Sequence, residues 1–476
     1  MKRITPLALA GLLPILMAGC TLAPKYVRPE APVPADWSAH AVNADDLAAT
    51  AADTAAAAPK AVLLSLAEFL PDERLLELID LALANNRDLQ IAALNMERAR
   101  ELYHVRRNEL LPSVGAAAYG SRQHDPAEVS SSGAAVTYEY YNVDVGIISW
   151  ELDLFGRVRS LKNAGLEQYL STAEARRAVH LSLQSRVAAA WLALASDQDF
   201  RALADSTLVS QEADYTMMAR RSAVGLGSEI DLTRAKSRVE AARDAAARAR
   251  LSVAQDRNLL DFLAGTPVPE HLLPQGWDSI QVPREISAGL SSEVLLSRPD
   301  VMAAEHQLRA AYANMGAARA AFFPRISLTS LLGTASNALS GLFTAGSKSW
   351  TFAGAATMPI FDARTIAASK ATTADRDLVL AQYEKSIQTA FRETCDALAV
   401  QTTIDERLAA QQAWATAAAE TYRLALRRYD TGLDSYLSVL DAQRSLFAVQ
   451  QGVIATRLSK YANLVNLYAI LGGGGA

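Results

Sequence analysis

Cysteine is almost missing: the 476 residues hold two, Cys20 and Cys395. A fold stapled by several disulfides is therefore excluded. Histidine is scarce too. Its six copies (His40, His104, His124, His180, His271 and His306) show no ligand spacing such as His-x-x-x-His, so no metal site is expected. No nucleophile or phosphate-loop spacing stands out either, which argues against a periplasmic enzyme. The apolar run Leu7–Ala18 is too short to cross a membrane as a helix and is broken by Pro14. Proline is absent from two long stretches, about 155–221 and 361–428. Nothing in them interrupts a helix.

What the N-terminus does contain is a targeting pattern. A basic start, Met1-Lys2-Arg3, leads into the apolar run and ends in Leu16-Met17-Ala18-Gly19-Cys20. This is a signal peptide over 1–19 whose end resembles a bacterial lipobox, with Met17 where that pattern prefers leucine. Cys20 would then carry diacylglycerol and an N-acyl chain, with no other cofactor expected. Thr21 follows, where aspartate is the known inner-membrane retention residue, so the outer membrane is the expected destination. Losing Lys2 and Arg3 takes the net charge from −5 to −7, which disfavours a nucleic-acid partner. With Cys20 acylated, no intrachain disulfide is available, and Cys395 falls in a helical pattern as a packing residue.

The largest signal is an internal duplication. The segment from Asn86, NRDLQIAALNMERARELYHVRRNELLPSV, answers SRPDVMAAEHQLRAAYANMGAARAAFFPRI from Ser297. Asp88 pairs with Asp300, Ala92 with Ala304, Ala99 with Ala311, Arg107 with Arg319, and Pro112 with Pro324. After a small slip, Phe155-Gly156-Arg157 answers Phe361-Asp362-Ala363-Arg364. Arg220-Arg221 with Gly225-Leu226-Gly227-Ser228 answers Arg427-Arg428 with Gly432-Leu433-Asp434-Ser435. The expected organisation is a signal peptide over 1–19, a Pro/Ala-rich extended tether over 20–60, a first repeat over 61–264, an irregular Pro-rich linker over 265–290, and a second repeat over 291–476. Each repeat reads helix, strand, strand, very long helix, helix.

Regular helical pattern runs from near Leu75 to about Leu110 and stops ahead of Pro112. Strand pairs follow. Ser113–Gln123 and Thr137–Asp153 flank the polar loop HDPAEVSSSG. Tyr141, Val143, Val145 and Ile147 alternate with Asn142, Asp144 and Gly146. That is the period of a sheet with unlike faces. The phase flips near Ile148, as a bulge or an exit from the sheet would make it. Ile326 and Leu328, then Trp350, Phe352, Ala356 and Met358, alternate likewise in the second half. Each strand is about ten residues, the length a tilted membrane strand needs. In the long helices Val187, Ala190, Trp191 and Leu194 keep helical spacing, as do Val439, Ala442, Leu446 and Val449 in the final one. At 1.5 Å per residue, a helix of about 65 residues spans roughly 100 Å. Gly225 and Gly432 mark sharp turns at the far tips.

Four membrane strands cannot close a barrel, since about eight is the smallest known. An open sheet in lipid leaves its edge amides unpaired. Several chains must therefore share one barrel, and eight, twelve or sixteen strands all remain open on this argument.

The duplication, the strand pairs, the lipobox and the segment RRYDTGLDSYLSVLDAQRSLFAVQQ resemble the TolC-like outer-membrane efflux proteins, nearest the lipoprotein outer-membrane factors of tripartite pumps. The resemblance implies an α+β membrane protein: a homotrimer with a twelve-stranded β-barrel, an α-helical coiled-coil periplasmic barrel and a mixed equatorial domain. It implies a passive, gated exit duct for drugs or other small toxic molecules. Its partners would be outer-membrane lipid, a periplasmic adaptor protein and an inner-membrane transporter of the resistance-nodulation-division (RND) type. Carried over residue by residue, Leu437, Asp441 and Arg444 match a periplasmic gate, and Asp231 with Tyr429 a latch between helix pairs. Ser438 stands where the better-known members carry a second aspartate, and Asp434 where they carry an arginine. The alternatives are a type I protein-secretion channel on the same fold, from which the lipobox leans away, and a structural coiled-coil lipoprotein, which should lack amphipathic strand pairs.

Overall fold

The computed structural model describes residues 21–34, 64–225, 227–285 and 292–473. The signal peptide, Cys20 and most of the expected tether lie outside these residues. The elements run in the anticipated order. A short helix α1 (Leu66–Phe69) precedes α2 (Glu73–Asn85) and α3 (Arg87–Asn108). Strands β1 (Val114–Asp125) and β2 (Val136–Leu152) lead to α4 (Arg157–Ala223) and α5 (Glu229–Ala264). The second repeat gives α6 (Pro299–Ala320), β3 (Arg325–Ser336), β4 (Lys348–Thr357), α7 (Ala363–Asp430) and α8 (Tyr436–Ile470). Among the described residues no helix is long and apolar enough to cross a membrane.

One difference from the sequence reading falls at Asn86. The helical pattern expected to run unbroken to Leu110 is cut there into α2 and α3. Asn86 takes an extended backbone, φ −64° and ψ 131°, and its carboxamide works on both sides of the break. Its Oδ1 accepts from the Leu89 amide at 3.0 Å, capping α3, and its Nδ2 donates to the Leu263 carbonyl at 2.9 Å. A side chain that offers the backbone such partners favours a helix end over a helix interior.

The chain divides into two compact units, and neither is a repeat. One takes the described part of Met1–Glu30 with Asn95–Ala173 and Ala303–Tyr383; the other takes the described parts of Ala31–Leu94, Glu174–Met302 and Glu384–Ala476. Each draws on both halves of the duplication.

The first unit holds a single antiparallel sheet in the order β1-β2-β3-β4. The register of β2 on β3 slips between Ile147 and Trp150, where the sequence phase flips. Past the slip, Trp150 donates its indole N–H to the Leu110 carbonyl at 3.1 Å. At the ends of the strands Glu151 binds Arg157 at 2.7 Å and Arg325 at 2.8 Å, joining β2 to the start of α4 and to β3 of the other repeat. Asp153 then accepts from the Val158 and Arg159 amides at 3.1 and 2.8 Å and so caps α4. Asp362 serves α7 in the same way through the Arg364 amide at 3.0 Å.

Also in the first unit, residues 21–30 of the expected tether are seated against α6. The reading of residues 20–60 as a tether did not anticipate this seat.

The second unit carries the larger core. Val187, Ala190, Trp191 and Leu194 of α4 are buried, as their spacing anticipates, and Leu192 is buried beside them. Trp191 satisfies its N–H on the Leu272 carbonyl at 2.8 Å, and Phe69 stacks on Tyr468 at 4.4 Å. Trp191 thus combines apolar burial with a satisfied donor.

Gly146 on β2 and Gly333 on β3 are the two tightest points of the sheet. A Cβ on Gly146 would meet the Ser330 carbonyl oxygen at 2.1 Å. Gly146→Val is expected to pry β2 from β3 at a cost of about 2–4 kcal/mol. Loss of heat-resistant oligomer on unboiled gels reports it; an unchanged band would show that the contact relaxes freely.

Candidate functional site

Two features carry chemistry, one in each unit. The first is the sheet surface. Residues directly opposite on neighbouring strands share a face. The register therefore aligns Ala116, Val145, Leu332 and Trp350 in one row across all four strands. The next row on that face is Val114, Ile147, Ser330 and Phe352. Val145, Leu332 and Trp350 are 52%, 56% and 74% exposed, which no water-facing sheet requires. The opposite face carries the row Ala117, Asp144, Gly333 and Ser349. One face is apolar, the other polar, and β1 and β4 each pair on one side only within the chain.

The second feature is the end of the long helices in the second unit. Gly225 and Gly432 sit in left-handed conformation, φ +76° and +74°, and nothing crowds either one. Both are helix-ending turns where a side chain would be strained. Gly225 and Gly432 are the two residues that the sequence reading places at the tip turns.

From Gly432 the chain enters α8, whose two faces differ. Tyr436, Val439, Leu440, Ala442 and Gln443 are buried. Leu437, Asp441 and Arg444 form the uncovered face, with Leu437 54% exposed. Asp441 and Arg444 pair along the helix at 2.5 Å. The three residues that the sequence reading assigns to a gate thus share one face that the described residues leave uncovered.

The latch pair is not joined. Asp231, in the first turn of α5, reaches Arg234 at 3.7 Å. Tyr429 instead bonds through its hydroxyl to Arg221, whose guanidinium also lies over the ring at 5.1 Å. Met218 Sδ is 3.7 Å from the same hydroxyl. The cause is local. Arg221, one turn before Gly225, already occupies the tyrosine, and Asp231 has a cation three residues on. Asp434 accepts from the Ser435 amide at 2.8 Å and from the Ser438 hydroxyl at 2.9 Å, and binds Arg428 at 3.3 Å. It closes the turn instead of reaching out of it.

A polar layer behind the uncovered face was not visible in the sequence. Asp214 of α4 accepts a hydrogen bond from Gln443, within a cluster that holds Met218, Ala235, Tyr436, Val439 and Leu440. Oδ2 of Asp214, Oε1 of Gln443 and the Tyr436 hydroxyl have no partner within the chain. Burial pushes the Asp214 carboxyl up, against the Gln443 hydrogen bond and the charge of Arg238. Burial likewise lowers Arg238. Two opposite charges are thus desolvated near each other without forming an ion pair.

Comparison with known proteins fits this geometry. The profile of the family described as "Outer membrane efflux protein" matches residues 78–266 and 290–473, and the chain belongs to that family. It is 43% identical over 461 residues to the probable efflux pump outer membrane protein TtgC of Pseudomonas putida, covering 96% of this chain and 93% of that one. It is 42% identical over 464 residues to the solvent efflux pump outer membrane protein SrpC of the same species, covering 97% and 96%. Among solved structures, the open state of the MtrE outer-membrane channel of Neisseria gonorrhoeae superposes with a TM-score of 0.82 at 37% identity, over 96% of this chain and 98% of that one.

The Asp214 layer yields a prediction. A carboxyl raised in the folded state binds its proton more tightly there than when unfolded, so this group favours folding at low pH and loses that contribution as pH rises through its folded value. Asp214→Asn is expected to raise the unfolding temperature by a few degrees at pH 8 and to flatten its decline as pH rises above the ordinary carboxylate range. Parallel pH profiles for the two proteins, followed by scanning calorimetry, would remove Asp214 from this role.

Proposed function

We propose that the chain is the outer-membrane duct of a tripartite efflux system, a passive exit for small toxic molecules. The observation that carries this is the sheet: four strands, an exposed apolar row on one face, a polar row on the other, and two free edges. In hydrocarbon such edges must be paired. Three copies close them as a twelve-stranded barrel, with the apolar rows toward lipid and the polar rows toward a water-filled lumen. The family membership and the efflux names of TtgC and SrpC support the same direction of transport.

Acylation of Cys20 adds a second hold on the outer membrane. One acyl cysteine anchors only as strongly as its buried methylenes allow, so lipid and barrel act together. The periplasmic adaptor and the RND-type inner-membrane transporter supply the energy and choose the cargo. The duct contributes a wall and a gate.

The gate is the uncovered face of α8. In a trimer, three Leu437 side chains form an apolar ring. Three Asp441 carboxylates gather like charges, which favours cations, and each Arg444 moderates the repulsion. Moving the helix pairs about Gly225 and Gly432 widens the constriction. In this chain the contact that holds them is Tyr429 on Arg221.

Two measurements test the reading. Replacing Asp441 and Arg444 together by alanine should raise single-channel conductance severalfold in planar bilayers, and deletion of the gene should sensitise cells to a panel of solvents and antibiotics. Unchanged conductance would take the pair out of the gate, and unchanged susceptibility would count against efflux. Cys20→Ala should abolish palmitate incorporation while part of the protein stays barrel-inserted, as seen by flotation with outer membranes. Complete loss of membrane association would show that the lipid is the sole anchor.

A further inference from the structure

The residues just behind Cys20 do more than space a lipid from a body. Glu305 of α6 has a side chain only 5% exposed, yet it is surrounded by donors. Arg28 approaches it in a fork, Nε at 3.2 Å and Nη2 at 2.5 Å. Tyr26 donates its hydroxyl at 3.1 Å, and Arg309 binds from one turn further along α6 at 2.6 Å. The aromatic ring is fixed as well. Tyr26 meets Tyr312 edge-on at 5.5 Å and lies under the Arg309 guanidinium at 4.9 Å. Gly316 makes room for the segment, since a Cβ there would fall 2.6–2.8 Å from Ala23. Thr21 adds a contact of 3.3 Å to the buried hydroxyl of Ser160 on α4.

The duplication indicates what this socket is for. In the register that pairs Asp88 with Asp300, Glu305 answers Ala93, Arg309 answers Glu97, Tyr312 answers Arg100 and Gly316 answers His104. Helix α3 carries none of these residues at the matching positions. The two copies diverged where one of them receives residues 21–30.

The energetics make the seating consequential. A buried carboxylate that loses two of its three partners is strongly destabilising, because the charge remains and its compensation does not. Burial alone would push the Glu305 carboxyl up, but the Arg28 and Arg309 hydrogen bonds and charges outweigh it and hold it below the ordinary range. The socket is therefore a charged one, and it is complete only with Arg28 in place.

We propose that residues 21–30 are a clasp whose docking on the Glu305 socket completes the helical part of the first unit, so that the N-terminal segment must be seated before chains assemble. The link to membrane anchoring rests on acylation of Cys20; the clasp itself does not.

The test uses the full-length protein in outer membranes and trypsin as the probe, because Lys25–Tyr26 is a cleavable bond inside the clasp. In the wild type cleavage at Lys25 should be slow. Arg28→Ala, and independently Gly316→Val, should speed it at least tenfold and lower the yield of heat-resistant trimer severalfold, with palmitate labelling of Cys20 unchanged. In a Glu305→Gln background, Arg28→Ala should add little to either readout, since its partner charge is already gone. Should Gly316→Val fail to fold, Tyr26→Phe removes one hydroxyl without steric cost and should give a smaller acceleration. Fast cleavage in the wild type, additive effects of Arg28→Ala and Glu305→Gln, or full trimer yield from a chain with a loosened clasp would each overturn the proposal. Loss of palmitate labelling in the wild type would sink only the lipid reading.

Discussion

The free edges of the four-stranded sheet govern the rest of the structure. Each amide left unpaired in hydrocarbon costs several kcal/mol, and neither β1 nor β4 has a second neighbour within the chain. The apolar row ending on Trp350 adds to the problem, because it buries nothing of its own. Both deficits disappear together when the sheet is continued by other copies in lipid. A single chain is therefore part of a wall, and the long helices that follow the sheet begin at caps supplied by Asp153 and Asp362.

Duplication is an economical way to build such a wall, and its value shows in where the copies stay alike and where they part. They agree at the strand-to-helix junctions and at the tip glycines, which set backbone direction. They differ where a side chain must meet something only one copy faces. Asn86 splits the first-repeat helix, while its equivalent, Arg298, is held by Asp300 and Glu393 at 2.8 and 3.1 Å. Glu305 is a socket, while Ala93 is not. Pseudo-symmetry is kept by the backbone and broken by polar side chains, because a buried polar group is tolerated only beside its own partner.

The same division explains what could be read in advance. Strand pairs, the phase flip at Ile148, the long helices and the turns at Gly225 and Gly432 all follow from short-range periodicity and backbone permissiveness. The seat of residues 21–30 did not. Proline and alanine there describe an extended segment, and extension is also what a docked strap needs. Nor did composition reveal that Tyr429 would take Arg221 over Asp231. Both partners are close to the turn in sequence, and the choice depends on which side chain lies across the helix pair. The only signal in the sequence is the Arg220-Arg221 pair itself, repeated at Arg427-Arg428.

The tip combines both lessons. The helix α8 is seated by an apolar stripe that any helical wheel would show, but Asp214, Gln443 and Tyr436 place unpaired oxygens within it. An all-apolar seat of this size would have one deep minimum and would resist displacement. A seat with unmet hydrogen bonds is shallower, since any shift that brings a donor to Asp214 recovers part of what burial costs. Arg238 is the nearby donor not yet used. If the uncovered Leu437–Asp441–Arg444 face is the gate proposed above, a frustrated polar layer beneath it would bring two positions of α8 closer in free energy.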